Sequence, residues 1–138
     1  MESFGRVWLF TVAPDGLPQT PGERVAVVGP LPTDPDQTYT VSYMEGAFLP
    51  GMRSITHRHP GPEAFYNLEG EMCLEIPGKK IVVGPGQSVS VEGGAPMELT
   101  AIGTGMRRSL VLILHPSNHL LGTPAFDWKP KGLCSASP

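Results

Sequence analysis

Apolar residues occur along the chain in short runs, which alternate with polar positions or are bounded by glycine and proline. Residues 38–44 alternate most regularly, with Tyr39, Val41 and Tyr43 on one face and the residues between them on the other. A period of two is typical of a half-buried β-strand. Residues 109–115 are apolar on both faces, which indicates a central strand that is buried on both sides.

Eight more runs have the length and the branched or aromatic residues of strands: 6–12, 23–28, 54–59, 64–68, 71–76, 81–83, 88–91 and 97–102. Turn signals separate them, including Asp15-Gly16 and Gly84-Pro85-Gly86. About ten strands at a spacing of about 8–12 residues predict an all-β sandwich or barrel. This pattern alone leaves lipocalin-like and immunoglobulin-like arrangements open.

Composition agrees with a single turn-rich domain. The chain has 138 residues, 40% of them hydrophobic and 17% charged, with 17 glycines and 16 prolines. A net charge of −3 argues against nucleic acid as a partner. The basic doublets, Lys79 with Lys80 and Arg107 with Arg108, are expected in solvated hairpin loops. No apolar run reaches the ~20 residues of a membrane span, so no membrane partner is predicted.

The cysteines and the N-terminus leave the compartment open. Cys73 lies in a predicted strand and Cys134 near the C-terminus, so a bridge between them is possible but not indicated. Cys73 is expected to be a packed thiol rather than a nucleophile. No apolar stretch typical of a signal peptide follows Met1, although Met1 could replace a removed leader. The alternatives are a cytoplasmic protein and a periplasmic or secreted one.

Candidate chemistry is concentrated in residues 51–70. His57 and His59 are two positions apart, so in a strand their imidazoles project from the same face. Residues 60–62 (Pro-Gly-Pro) predict a bend, after which Glu63 returns beside the imidazoles. Two imidazoles and one carboxylate that converge form a site for a divalent transition metal, with Fe, Mn, Ni, Cu, Co and Zn all compatible.

The wider spacing resembles the first signature motif of the cupin superfamily, with Gly51, His57, His59, Glu63 and Gly70 at its fixed positions. The resemblance implies a double-stranded β-helix, or jelly-roll barrel, with a metal inside it and a homodimeric assembly. The barrel core would span residues 37–116, between an N-terminal arm of strands and loop (1–36) and a C-terminal tail (117–138).

The second cupin motif is incomplete. Its turn is present at residues 84–86, but Met97 stands where the motif has a histidine, and Ala101 where it has an asparagine. Three interpretations follow. His57, His59 and Glu63 hold the metal alone; Met97 or His115 completes the coordination; or the metal is lost and the barrel is a metal-free binding pocket.

Strand alternation places further residues near the site. Arg53 shares the face of the two histidines if the strand is regular, where it would bind a substrate carboxylate; otherwise it is an exposed arginine. Asn67 shares the face of Glu63 and is a second, weaker catalytic candidate. The expected pocket walls are Phe65, Tyr43, Val111 and Ile113.

Two functions are compatible with these residues. The first is a metal-dependent enzyme that acts on a small organic molecule, with dioxygenase-like chemistry favoured because three protein ligands leave positions for substrate and dioxygen. Isomerase, decarboxylase or lyase chemistry would use the same ion as a Lewis acid. The alternative is a non-catalytic module that binds a small ligand or a metal.

Overall fold

The computed structural model describes residues 1–14 and 21–135, and these residues form strands and turns. The strands are β1 (Glu2–Ser3), β2 (Arg6–Val7), β3 (Tyr39–Phe48), β4 (His57–Arg58), β5 (Glu63–Glu69), β6 (Glu71–Ile76), β7 (Lys79–Val83), β8 (Ser88–Val91), β9 (Glu98–Ile102), β10 (Arg107–Pro116) and β11 (Thr123–Pro124). Within this part of the chain there is no helix, and so none that could cross a bilayer. The all-β prediction is confirmed.

Two antiparallel sheets enclose the core. One has the strand order β3-β10-β5-β8, and the other has the order β7-β6-β9. The central strand β10 pairs along its whole length with β3 and over residues 108–113 with β5, as the apolar run at 109–115 predicts. The core is formed by residues from both sheets: Phe65, Met72, Leu74, Val83, Val91, Met97, Leu99, Val111 and Ile113.

The N-terminal arm packs on the outside of the first sheet. Tyr43 was predicted to line the pocket, but its partner in β10 is Leu112, on the face opposite to the core residues Val111 and Ile113. Tyr43 therefore points outward, where the ring of Phe10 lies 4.3 Å from its ring. The prediction was wrong because alternation identifies residues that share a face and does not say which face is interior.

Two predicted N-terminal strands are not formed as expected. The run 6–12 is paired only at Arg6–Val7, and residues 23–28 have no strand pairing. Both runs contain branched residues that favour extended backbone, but a strand also needs a neighbouring edge to pair with. The predicted turn at Asp15-Gly16 lies outside the described residues.

The C-terminal tail returns across the barrel. Strand β11 pairs with β4, and Arg58 donates two hydrogen bonds to the carboxylate of Asp127, at 2.8 and 2.9 Å. Further along, the Glu75 carboxylate accepts hydrogen bonds from the backbone amides of Lys131 and Leu133. The tail thus covers the outer face of the sheet that contains β6.

A disulfide fastens this tail. Cys73 was predicted to be a packed thiol, with a bridge to Cys134 possible but not indicated; it is bonded to Cys134, with Cα atoms 5.6 Å apart. Cys73 lies between the core residues Met72 and Leu74 in β6, so its side chain points to the outer face that the tail covers. The sequence could not show this pairing, because 61 residues separate the two cysteines and the tail has no periodicity that places it.

Candidate metal centre

A tight bend brings the three predicted ligands together. His57 lies in β4, His59 follows that strand, and Glu63 begins β5. Between them Gly61 packs against β10 so closely that a Cβ there would lie 1.8 Å from the carbonyl oxygen of Leu114. Only glycine fits at this approach. As a result, one donor atom from each of the three ligand side chains lies within 4.8 Å of the others.

Backbone carbonyls orient both imidazoles. Nδ1 of His57 is 2.7 Å from the Ile55 oxygen, and Nδ1 of His59 is 2.7 Å from the Leu121 oxygen. A carbonyl only accepts hydrogen bonds, so each Nδ1 carries the proton and each Nε2 presents a lone pair. Histidines that bind metals are oriented in this way by a second hydrogen bond.

Glu63 contributes a buried carboxylate. Its side chain lies 3.4 Å from Nε2 of His59, and Oε2 has no hydrogen-bond partner among the described residues. Burial raises the pKa of Glu63 to about 8, and the positive charge of Arg107 opposes that rise. Burial also lowers the pKa of His59, and the charges on His57 and His115 lower it further, against the bond to Leu121.

The three side chains fit a divalent metal ion. Nε2 of His59 lies 3.4 Å from Oε2 of Glu63, and each of the three side chains offers a ligand atom within 4.8 Å of the others. Below its pKa of about 8 the Glu63 carboxyl carries a proton, which a bound metal ion would displace. A cation placed among the three side chains satisfies all three acceptors at once. Imidazole nitrogen and carboxylate oxygen together are ligands for the first-row transition metals.

Met97 and His115 are the predicted candidates for a fourth ligand. Met97 is opposite His57, with reciprocal backbone hydrogen bonds of 3.0 and 2.8 Å, and its side chain is buried in the core. His115 is buried, and its Nδ1 is 3.1 Å from the Pro116 oxygen. Among the histidines, cysteines and carboxylates of the described chain, the compact group of metal-ligand atoms consists of His57, His59 and Glu63. A fourth ligand from Met97 or His115 stays a prediction.

Arg53 is not brought to the site. Arg53 pairs with Thr100 and His57 with Met97, so four steps along this segment match only three along its partner. The extra residue forms a β-bulge, so side chains before and after it no longer alternate regularly between the two faces of the segment. Arg53 therefore does not share the face of the two histidines. The Arg53 side chain is half-exposed and lies 3.8 Å from the carboxylate of Glu98. This placement corrects the expectation of an interior carboxylate-binding group, which depended on a regular strand.

Asn67 is buried on the interior face, but its contacts close a hairpin. Its Nδ2 donates to the Gly70 oxygen at 2.7 Å and to the Val83 oxygen at 3.4 Å. The first bond closes the turn from β5 into β6, and the second connects β5 with the end of β7. The predicted pocket residues Phe65, Val111 and Ile113 are buried in the core.

Arg107 lies in the interior, contrary to the prediction from the sequence. It was expected in a solvated loop, yet only 1% of it is exposed, and it lies inside the barrel. Its guanidinium lies over the rings of Phe48 and Phe65, 5.2 and 5.8 Å from their centroids, and donates to Ser109 Oγ. Burial lowers the pKa of Arg107 to about 10, so it stays charged at neutral pH. Its alternation with Ser109, Val111 and Ile113 was the available signal.

A surface groove leads to the two histidines. It has a volume of about 460 Å³ and is lined by Ser54, Ile55, His57, His59, Leu120, Leu121, Gly122, Thr123 and Pro124. One wall comes from the segment before β4 and the other from the tail that contains β11. The third ligand, Glu63, lies behind the histidines and is only 4% exposed.

The comparisons with known proteins agree with this geometry. The sequence profile of the Cupin domain family matches residues 44–113, which is roughly half of the chain. The chain belongs to the cupin superfamily. The matched residues contain the three predicted ligands and most of both sheets, and the predicted jelly-roll barrel is confirmed.

Solved cupins share the fold at low sequence identity. A cupin-like protein from Thermotoga maritima is 16% identical with a TM-score of 0.56, over 67% of this chain and 66% of that one. The DMSP lyase DddQ from Ruegeria pomeroyi is 22% identical with a TM-score of 0.55, over 67% and 45%. An oxalate oxidase is 21% identical with a TM-score of 0.53, over 62% and 46%.

These likenesses concern the fold alone. This chain spans less than half the length of the lyase and of the oxidase, and the identities are low. A search of curated proteins found no significant match.

Proposed function

We propose that this cupin is a metal-dependent enzyme that acts on a small organic molecule. His57, His59 and Glu63 hold a divalent transition metal inside the barrel. The observation that carries the proposal is the set of two imidazoles and one buried carboxyl with ligand atoms within 4.8 Å of one another, in which both imidazoles are oriented by backbone carbonyls.

The arrangement suits catalysis because three protein ligands leave coordination positions open, and the groove reaches two of the ligands. A divalent ion at this site supplies Lewis acidity and, when it is redox-active, activation of dioxygen. Dioxygenase-like chemistry is the first hypothesis. The fold neighbours include a lyase and an oxidase, which keeps lyase chemistry as the second.

A non-catalytic metal- or ligand-binding module is the competing function. Its support is Met97, which packs in the hydrophobic core and which the motif spacing assigns to the position of the fourth ligand. A barrel that had lost its metal would bind ligands through apolar contacts alone.

Metal analysis separates the two functions. Protein purified without chelator is expected to contain close to one transition metal ion per chain, and His57→Ala is expected to lose it. His119→Ala is the matched control, because His119 is an exposed loop histidine outside the three-ligand group. Metal in the wild type that survives His57→Ala would place it elsewhere, and metal-free wild type would favour the binding module.

The expected homodimer remains a proposal. Its support is the exposed apolar side chains of Val7, Leu9 and Val41, which lie on the arm and on the edge strand β3. The arm already covers part of this face through Phe10. Light scattering is expected to give twice the chain mass of 14.8 kDa, and a monomer mass would refute the dimer.

The disulfide supports an oxidising compartment, periplasmic or secreted, because structural disulfides persist there. The test is the thiol content of protein recovered from its native host under alkylating conditions. Two blocked thiols per chain would contradict this assignment.

A further inference from the structure

The groove beside the metal centre is apolar. Ile55 and Leu120 stand on opposite walls and are 71% and 75% exposed, while Leu121 and Pro124 complete the surface between them. Large aliphatic side chains this exposed are ordinary when scattered singly. Here they gather around a concavity that contains two metal-binding imidazoles, which is the usual composition of a small-molecule site.

The groove has no fixed charge. Its lining, as far as the structure describes it, includes no Lys, Arg, Asp or Glu. Arg53 pairs with Glu98 instead, and Arg107 is enclosed in the barrel and does not line the groove. The polar side chains of the lining are Ser54, Thr123 and the two histidines, so a ligand in the groove meets mostly apolar surface and no carboxylate, ammonium or guanidinium group.

The walls are held in place before any ligand arrives. The backbone amide of Ala125 donates to the Thr56 oxygen at 3.0 Å, and Arg58 is bonded to Asp127 two residues further on. Gly122 lies so close to His59 that a Cβ would be 2.8 Å from Nδ1. A preformed apolar wall gains affinity without an ordering penalty.

We propose that the substrate class is a small molecule with an oxygen chelating group at one end and an uncharged, apolar body at the other. The oxygens take the open metal positions, and the body lies along Ile55 and Leu120. This inference rests on the proposed metal function. It excludes compact dianions as substrates, because they have no apolar body to place in the groove.

Two hydroxamates of different chain length test the inference. Acetohydroxamate and octanohydroxamate chelate a metal in the same way and differ by six methylenes. On the zinc-loaded protein, calorimetry is expected to show at least about 30-fold tighter binding of the longer probe, since full burial of each methylene is worth about threefold to fourfold and the groove is open. Equal affinities would overturn the inference.

Variants of the groove walls test whether the longer hydroxamate gains its affinity from Ile55 and Leu120. Ile55→Ser and Leu120→Ser are each expected to reduce the advantage of the long probe by about fivefold and to leave acetohydroxamate unchanged. Both side chains are exposed, so the fold is retained. Val82→Ser is the control, since Val82 is 49% exposed on β7, away from the groove. An advantage that persists in both wall variants would overturn the inference.

The outcomes distinguish this inference from the proposed function. Protein that takes up no zinc refutes the metal function and the substrate class with it. Protein that takes up zinc and binds both probes equally retains the metal function and loses only the substrate class.

Discussion

Two polar clusters lie inside the barrel, and they differ in kind. His57, His59 and Glu63 form a group of acceptors that faces the groove. Arg107 is a donor that is enclosed by aromatic rings and bonded to Ser109. Both are buried, so burial alone does not identify the site. What distinguishes the first cluster is that its three side chains place potential metal-ligand atoms within 4.8 Å of one another and that the groove reaches its two histidines.

The largest expected effect separates metal binding from folding. Glu63→Gln is expected to lower metal affinity by about 1,000-fold, since an amide oxygen replaces an anionic ligand. The stability of the metal-free protein should change little, because glutamine has the shape of the carboxyl group. Isothermal titration gives the affinity, and urea unfolding gives the stability. A metal-free variant that unfolds far more easily would make Glu63 a structural residue.

At Arg107, a substitution is expected to reduce stability far more than metal affinity. Arg107→Ala is expected to reduce the free energy of unfolding by about 3 kcal/mol, because it leaves a cavity beside Phe48 and Phe65. Metal affinity should fall by less than about tenfold. Arg107→Met is the control that keeps most of the volume, and it should recover most of the stability. A loss of metal affinity as large as that of Glu63→Gln would contradict this prediction and would show that Arg107 belongs to the metal site.

Metal uptake is expected to depend on pH through the first cluster. The pKa of Glu63 is raised to about 8 by burial, and the metal takes the ionised form, so binding below pH 8 displaces a proton. Affinity should rise about tenfold per pH unit from pH 6 to pH 8 and then level off. Titrations at several pH values measure the slope. The same slope in Glu63→Gln would assign the proton to another group.

The smallest expected effect on metal affinity concerns the backbone of the tail that orients His59. In Gly122→Ala the new Cβ would press on Nδ1 of His59 and disturb its bond to Leu121. Metal affinity should fall about tenfold, as for other residues that position metal ligands. Gly105→Ala is the matched control, because nothing lies within 4 Å of a Cβ there. Equal affinities in the two variants would show that the tail does not support the site.

Much of the fold and of the metal centre could be predicted because the signals are local. His57, His59 and Glu63 are joined by a short bend whose proline and glycine residues are visible in the sequence. The apolar run of β10 identified the central strand in the same way. The prediction for Arg53 was wrong because a β-bulge interrupts the alternation of side chains, and a bulge has no reliable signal in a single sequence.

The sequence by itself determined which residues share a face and that three of them could bind a metal, because strand periodicity and a tight bend act over a few residues. Only the tertiary structure decided which face is interior, as with Tyr43 outside and Arg107 inside. It also brought the tail back, so that Leu121 bonds to His59 and Cys134 to Cys73. These contacts join residues about 60 positions apart. Packing of the whole chain determines these contacts, and the local sequence pattern does not predict them.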